Sequence, residues 1–110
     1  MRDNEIRQGV EENVRMKILG YDYEIDLTKN NEEIGASGRM HSVKQLIQIA
    51  SNNTQQQAES TLLHEIIESL NYHLDLTLEH NKIMSLEAGL YQTLTDNGID
   101  LSPLLKGAKK

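Results

Sequence analysis

Thr61-Leu62-Leu63-His64-Glu65-Ile66-Ile67-Glu68-Ser69-Leu70 lies near the middle of the chain, and its spacing decides the fold. Leu63, Ile66, Ile67, Leu70 and Leu74 fall in one stripe at about 100° per residue, which predicts an amphipathic helix from about Thr54 to about Tyr72. Asn53, with Gln56 three residues on, has the pattern of a capping box at its start. Asp75-Leu76-Thr77 is a short link. A second helix is predicted from about Leu78 to Asp96, with Ile83, Leu86, Leu90 and Leu94 as its stripe. Asn97-Gly98 stops it, because both residues accept the left-handed conformation. Ser102-Pro103 is placed to open a last helical turn, Ser as cap and Pro at the first position.

Toward the N-terminus the period changes to two. Val14, Met16 and Ile18 alternate with Arg15 and Lys17; after Gly20, Tyr21, Tyr23, Ile25 and Leu27 alternate with Asp22, Glu24 and Asp26. Two alternating runs broken at a glycine predict a hairpin or a bulged strand. Thr28–Glu33 is polar and predicts a loop. Ile34–Met40 and Gln45–Ala50 predict a second strand pair turning near His41–Lys44, and Gly35 and Gly38 mark the first of these as an edge or bulge strand. The expected fold class is α+β, a small antiparallel sheet followed by an antiparallel helix pair. Residues 13–105 form a single domain in this reading. A charged mobile arm precedes it at 1–12, and a basic tail follows at 106–110.

The composition narrows the chemistry. With 110 residues the chain is one domain by length. It contains no Phe, Trp or Cys, so Leu, Ile, Met and four Tyr must fill the core. Without thiols there are no disulfides and no thiolate metal sites, which fits a reducing cytoplasm. Any metal must be held by His, Asp or Glu. A formal charge of −6 is the wrong sign for phosphate backbones and anionic membranes. No apolar run is long enough to span a bilayer, and the start carries no signal-peptide pattern.

The polar residues of the two helices suggest a site. His64 and Glu68 differ by about 40° in azimuth, and Asn71 lies about 20° to the other side of His64. Glu65 is turned about 100° away, which suits a general base standing next to a metal rather than on it. His80 and Glu87, on the second helix, share an azimuth to within about 20°. If the helices pack antiparallel through their stripes, His64, Glu68 and His80 supply three ligands and leave a fourth position for water, the arrangement of a catalytic zinc centre. The competing reading of a His/Glu pair at this spacing is a surface hydrogen bond. His73 falls about 180° from His64 and cannot join it, and His41 is expected in an exposed turn.

Thr61–Leu70, then Leu78-Glu79-His80, then Leu86-Glu87-Ala88-Gly89-Leu90-Tyr91-Gln92-Thr93-Leu94 and Asp96-Asn97, together resemble the small phage and prophage zincin-like proteins. These are similar in layout to the ImmA/IrrE metallopeptidases. The resemblance spans about Val14 to Asn97. It implies a minimal zincin-like fold in which an edge strand before the metal helix, here Gln45–Ala50, holds an extended peptide. By position it makes His64 the first metal histidine, Glu65 the general base and His80 the third ligand. Glu68 stands where a second histidine is expected. Glu87 stands where the family has a small residue, and ranks below His80. A carboxylate in the shell lowers the Lewis acidity of zinc and favours harder ions such as Mn²⁺ or Mg²⁺.

Two functions follow as expectations. The first is a metal-dependent peptidase acting on a protein segment in the cytoplasm of a bacterial host. The second is a catalytically inactive, acidic phage accessory protein that binds a host or phage protein by charge complementarity. A DNA-binding regulator is disfavoured by the net charge and by the absence of a helix-turn-helix spacing. Oligomeric state is not legible from these patterns.

Overall fold

The computed structural model describes residues 14–106. The expected arm at 1–12 and all but the first residue of the basic tail lie outside this range. Strand β1 (Val14–Ile18) and strand β2 (Tyr21–Asp26) form the expected hairpin, paired antiparallel from Val14↔Ile25 to Ile18↔Tyr21. Its two loop residues, Leu19 and Gly20, both take positive φ, at 54° and 83°, as a tight turn compatible with strand twist requires. Thr28–Glu33 is not all loop. Asn30 caps a one-turn helix α1 (Asn31–Ile34) through a reciprocal capping box with Glu33, and Gly35 ends it at φ 86°.

Strand β3 (Gly38–His41) and strand β4 (Leu46–Ile49) are the second antiparallel pair. The sheet as a whole is mixed, however, in the order β1-β2-β4-β3, with β4 parallel to β2. The expected all-antiparallel sheet is thereby corrected. Side-chain chemistry accounts for the order. Ile47 and Ile49 of β4 are completely buried and belong between two neighbours, whereas β3, with Gly38 and the polar Arg39 and His41, suits an edge.

Helix α2 (Gln55–Leu74) crosses the inner face of this sheet. Its capping box is Thr54 with Gln57, one residue later than Asn53 and Gln56. Asn53 instead donates from its side chain to the Ser37 carbonyl, 3.2 Å away. Val14, Ile18, Tyr23, Ile25, Ile47, Ile49, Leu62 and Leu105 make the core. Leu105 comes from the short terminal helix α4 (Ser102–Lys106), where Ser102 is the first helical residue rather than the cap and donates its N–H to the Asp100 side chain at 2.9 Å. Among the described residues, no helix is long and apolar enough to cross a membrane.

Helix α3 (His80–Asp96) runs antiparallel to α2, as the contacts Asn71 to Leu78, His64 to Glu87 and Glu59 to Tyr91 require. The two helices do not meet through the expected stripes. Ile83 alone of α3 is buried; Leu86 and Leu90 are 44% and 42% exposed. The face turned toward α2 carries His80, Ile83, Glu87, Tyr91 and Leu94, at spacings of three and four. Helix α2 contacts the sheet on one side and α3 on another, so its inward residues include Leu62, Glu65 and Ser69 as well as Ile67. Two contact faces, one of them polar, hide the true orientation from a search for a single apolar stripe.

Candidate metal centre

His64 projects from the middle of α2 toward α3, with its ring largely covered. Nδ1 lies 2.9 Å from Glu87 Oε1, and Nε2 lies 3.3 Å from Glu68 Oε2. Glu68 is one helical turn beyond His64 and therefore falls on the same ridge. His80, exposed at the first turn of α3, meets His64 edge to face, with ring centroids 5.5 Å apart. One donor atom from each of His64, Glu68 and His80 lies within 4.8 Å of the other two. The group can hold a metal ion. Ligands on a tetrahedral ion at about 2.1 Å stand about 3.4 Å apart. The His64–Glu68 separation already matches that edge, and both donors are of a type zinc accepts.

Glu65 is on the neighbouring azimuth, under β3. Only 6% of its surface is exposed. Its pKa is raised from 4.5 to about 7, chiefly by burial; nearby Glu68 and Glu87 push the same way and His64 and Arg39 oppose. A buried carboxyl with its pKa near neutrality, in a cleft beside candidate ligands, is suited to work as an acid or base. The cleft, of about 310 Å³, is lined by Gly38, Arg39, Met40, His64, Glu65, Glu68 and His80. On the other side of His64 it continues into a hollow of about 410 Å³ walled by Ala36, Thr61, Met84 and Glu87.

Gly38 makes room for this arrangement. A Cβ there would stand 2.4 Å from Thr61 Cγ2, 3.0 Å from the Gln48 carbonyl oxygen and 3.4 Å from Glu65 Oε2. The helix and the edge strand approach closely because that side chain is missing. The strand beside the site is thus β3, not the Gln45–Ala50 strand, which is internal to the sheet.

The spacing of residues correctly brought His64, Glu68 and His80 together and set Glu65 apart from them. It misplaced Asn71 and His41, while Glu87 faces α2 as its shared azimuth with His80 suggested. Glu87, ranked as a weaker ligand, stands behind His64 as a hydrogen-bond partner, and its other oxygen accepts from Ser60 Oγ. Asn71 is drawn away to the interhelix link, accepting from the Leu78 N–H at 2.9 Å and donating to the Leu78 carbonyl at 3.3 Å. His41 is half-buried at the end of β3, with Nε2 2.9 Å from Gln48 Oε1, rather than in an open turn. His73 is remote from the cluster as expected; it stacks on Tyr21 at 4.2 Å and its Nε2 lies 2.7 Å from the Tyr23 hydroxyl. The i, i+4 relation of Ser60 to His64 was the one available sign of the Ser60–Glu87–His64 chain, and it has little force without knowledge of where α3 sits. Compared with protein-family models, curated proteins and solved structures, the chain matches nothing in any of the three, and its chemistry rests on its own geometry.

Proposed function

We propose that this protein is a zincin-like, metal-dependent peptidase of the phage type, with zinc held by His64, Glu68 and His80 and Glu65 as general base. One observation carries the reading. A buried carboxyl with its pKa near 7 shares a cleft with a His/Glu/His group whose donor atoms lie within 4.8 Å of one another. Structural ion pairs rarely keep a carboxylate buried without compensating hydrogen bonds, and none contributes to the shift at Glu65.

Zinc bound there would supply Lewis acidity to the reacting carbonyl and the attacking water. Glu65 takes the proton of that water and returns it to the leaving amine, tasks for which a pKa near the working pH is best matched. The substrate is an extended protein segment. The outer edge of β3, last in the sheet and beside the cleft, has no strand partner among the described residues and would pair with such a segment. Glu68 in place of a neutral ligand makes the shell more anionic, which weakens Lewis acidity and widens acceptance toward Mn²⁺.

The test is proteolysis of an unfolded protein by the zinc-loaded wild type and Glu65→Gln. Cleavage that disappears in the variant while bound zinc is retained supports the assignment. Equal cleavage by both proteins would remove Glu65 from the chemistry.

A further inference from the structure

We infer that Glu87 and Ser60 are positioning residues, which fix His64 as the tautomer protonated on Nδ1 and leave Nε2 bare toward Glu68. The argument begins with what each group can donate. An ionised carboxylate only accepts, so the 2.9 Å contact between His64 Nδ1 and Glu87 Oε1 favours a proton on Nδ1 over one on Nε2, whose carboxylate neighbour Glu68 is farther away, at 3.3 Å. Glu87 is itself held from the opposite side, because its second oxygen accepts from the Ser60 hydroxyl. Both oxygens of Glu87 are therefore engaged, and it cannot swing without breaking two hydrogen bonds.

The elements make this a built arrangement rather than a chance contact. Ser60 and His64 are one turn apart on α2, so both face α3. Glu87 and His80 are two turns apart on α3, so both face α2. Helix α2 contributes the ligands His64 and Glu68 and the supporting Ser60, and α3 contributes the ligand His80 and the supporting Glu87. The side chains of His64 and Glu87 are 15% and 20% exposed, which limits competition from water for the bond between them. An unrestrained neutral histidine favours the proton on Nε2, the nitrogen that here must face the ion. Glu68, 3.3 Å from Nε2, adds to that preference, because it would itself attract a proton there. Glu87 selects the other tautomer, and an outer partner of this kind typically accounts for 10- to 100-fold in metal affinity.

The consequence for affinity rests on the proposed metal site, but the tautomer does not, and the experiment separates them. Nitrogen-15 two-bond correlation spectra of the metal-free protein, recorded across a pH series, report which His64 nitrogen carries the proton in the neutral ring. Zinc affinity is measured in parallel by competition with a chromophoric chelator. The proteins are wild type, Glu87→Ala, Glu87→Gln and Ser60→Ala, each first shown by circular dichroism to be folded. Wild type is expected to be protonated on Nδ1. Glu87→Ala should shift the proton to Nε2 and weaken zinc binding by about 10- to 100-fold. Glu87→Gln, which keeps an acceptor oxygen, should restore the tautomer and most of the affinity; Ser60→Ala should fall between. Wild-type His64 protonated on Nε2, or a Glu87→Ala protein with tautomer and affinity unchanged, would overturn the inference. If wild type binds no zinc yet its tautomer responds to Glu87→Ala, the positioning role stands and the peptidase reading falls.

Discussion

Helix α2 has two neighbours, and it meets them by different physics. Against the sheet it is apolar and close: Leu62 packs among Tyr23, Ile25, Ile47 and Ile49, all essentially inaccessible, and a missing side chain at Gly38 lets the backbones approach. Against α3 it is largely polar, with Glu59–Tyr91, Ser60–Glu87, His64–Glu87 and Asn71–Leu78 along the seam and Ile83 as the one buried residue of α3. The first contact supplies stability, in proportion to the apolar area removed from water. The second brings His64, Glu68 and His80 together, a group able to hold a metal ion, because polar groups that face each other across a seam are the ones placed to share one. A scaffold on one side of a helix and a site on the other lets each be built without compromising the other.

Substitution on the two sides should show this division. Leu62→Ala, on the sheet side, is expected to cost about 2–5 kcal/mol in urea unfolding, the range for a buried leucine whose cavity cannot collapse. A loss below about 1 kcal/mol would show that α2 is loosely seated on the sheet.

Glu65 lies on the boundary and gives the next largest effect. Because its pKa is raised from 4.5 to about 7, the folded protein binds this proton more tightly than the unfolded chain. Its favourable contribution is complete below the unfolded value and is lost as pH rises through about 7. The metal-free wild type should therefore weaken between these values relative to Glu65→Gln, by on the order of 3 kcal/mol at about 1.4 kcal/mol per pKa unit. Thermal melts at about pH 5 and pH 8 check it; parallel changes in the two proteins would mean that the carboxyl is well solvated.

Gly38→Ala should cost about 1–3 kcal/mol, as overpacking does, since the new methyl meets Thr61 and the Gln48 carbonyl. An unchanged melting temperature would show that the edge strand moves freely from the helix. On the α3 side, Tyr91→Phe removes the 3.0 Å hydrogen bond to Glu59 and should cost about 1 kcal/mol. A loss as large as that of Leu62→Ala would erase the contrast between the two faces.

Much of this was legible in the residues. Alternation in Val14–Ile18 and Tyr21–Leu27 gave the first hairpin, and the stripe and stop signals located α2 and α3 to within a few residues. The azimuths of His64, Glu65 and Glu68 on one helix depend only on helical geometry and therefore carried over directly. Contacts between elements did not. Parallel pairing of β2 with β4 depends on which strand of a hairpin is inserted, and local alternation is blind to that choice. The rotation of α3 was misread because Leu86 and Leu90 outweigh Glu87 and Tyr91 in hydrophobicity, while it is the latter pair that has partners on α2. A polar seam leaves no apolar signature.

The central claim is that α2 and α3 together hold one ion. Its most direct measurement is the zinc content, by mass spectrometry, of wild type, His64→Ala and His80→Ala after incubation with zinc at neutral pH and removal of free metal. About one equivalent in wild type and only trace amounts in both variants is the expected result. Trace metal in all three proteins, or an equivalent retained in both variants, would contradict it.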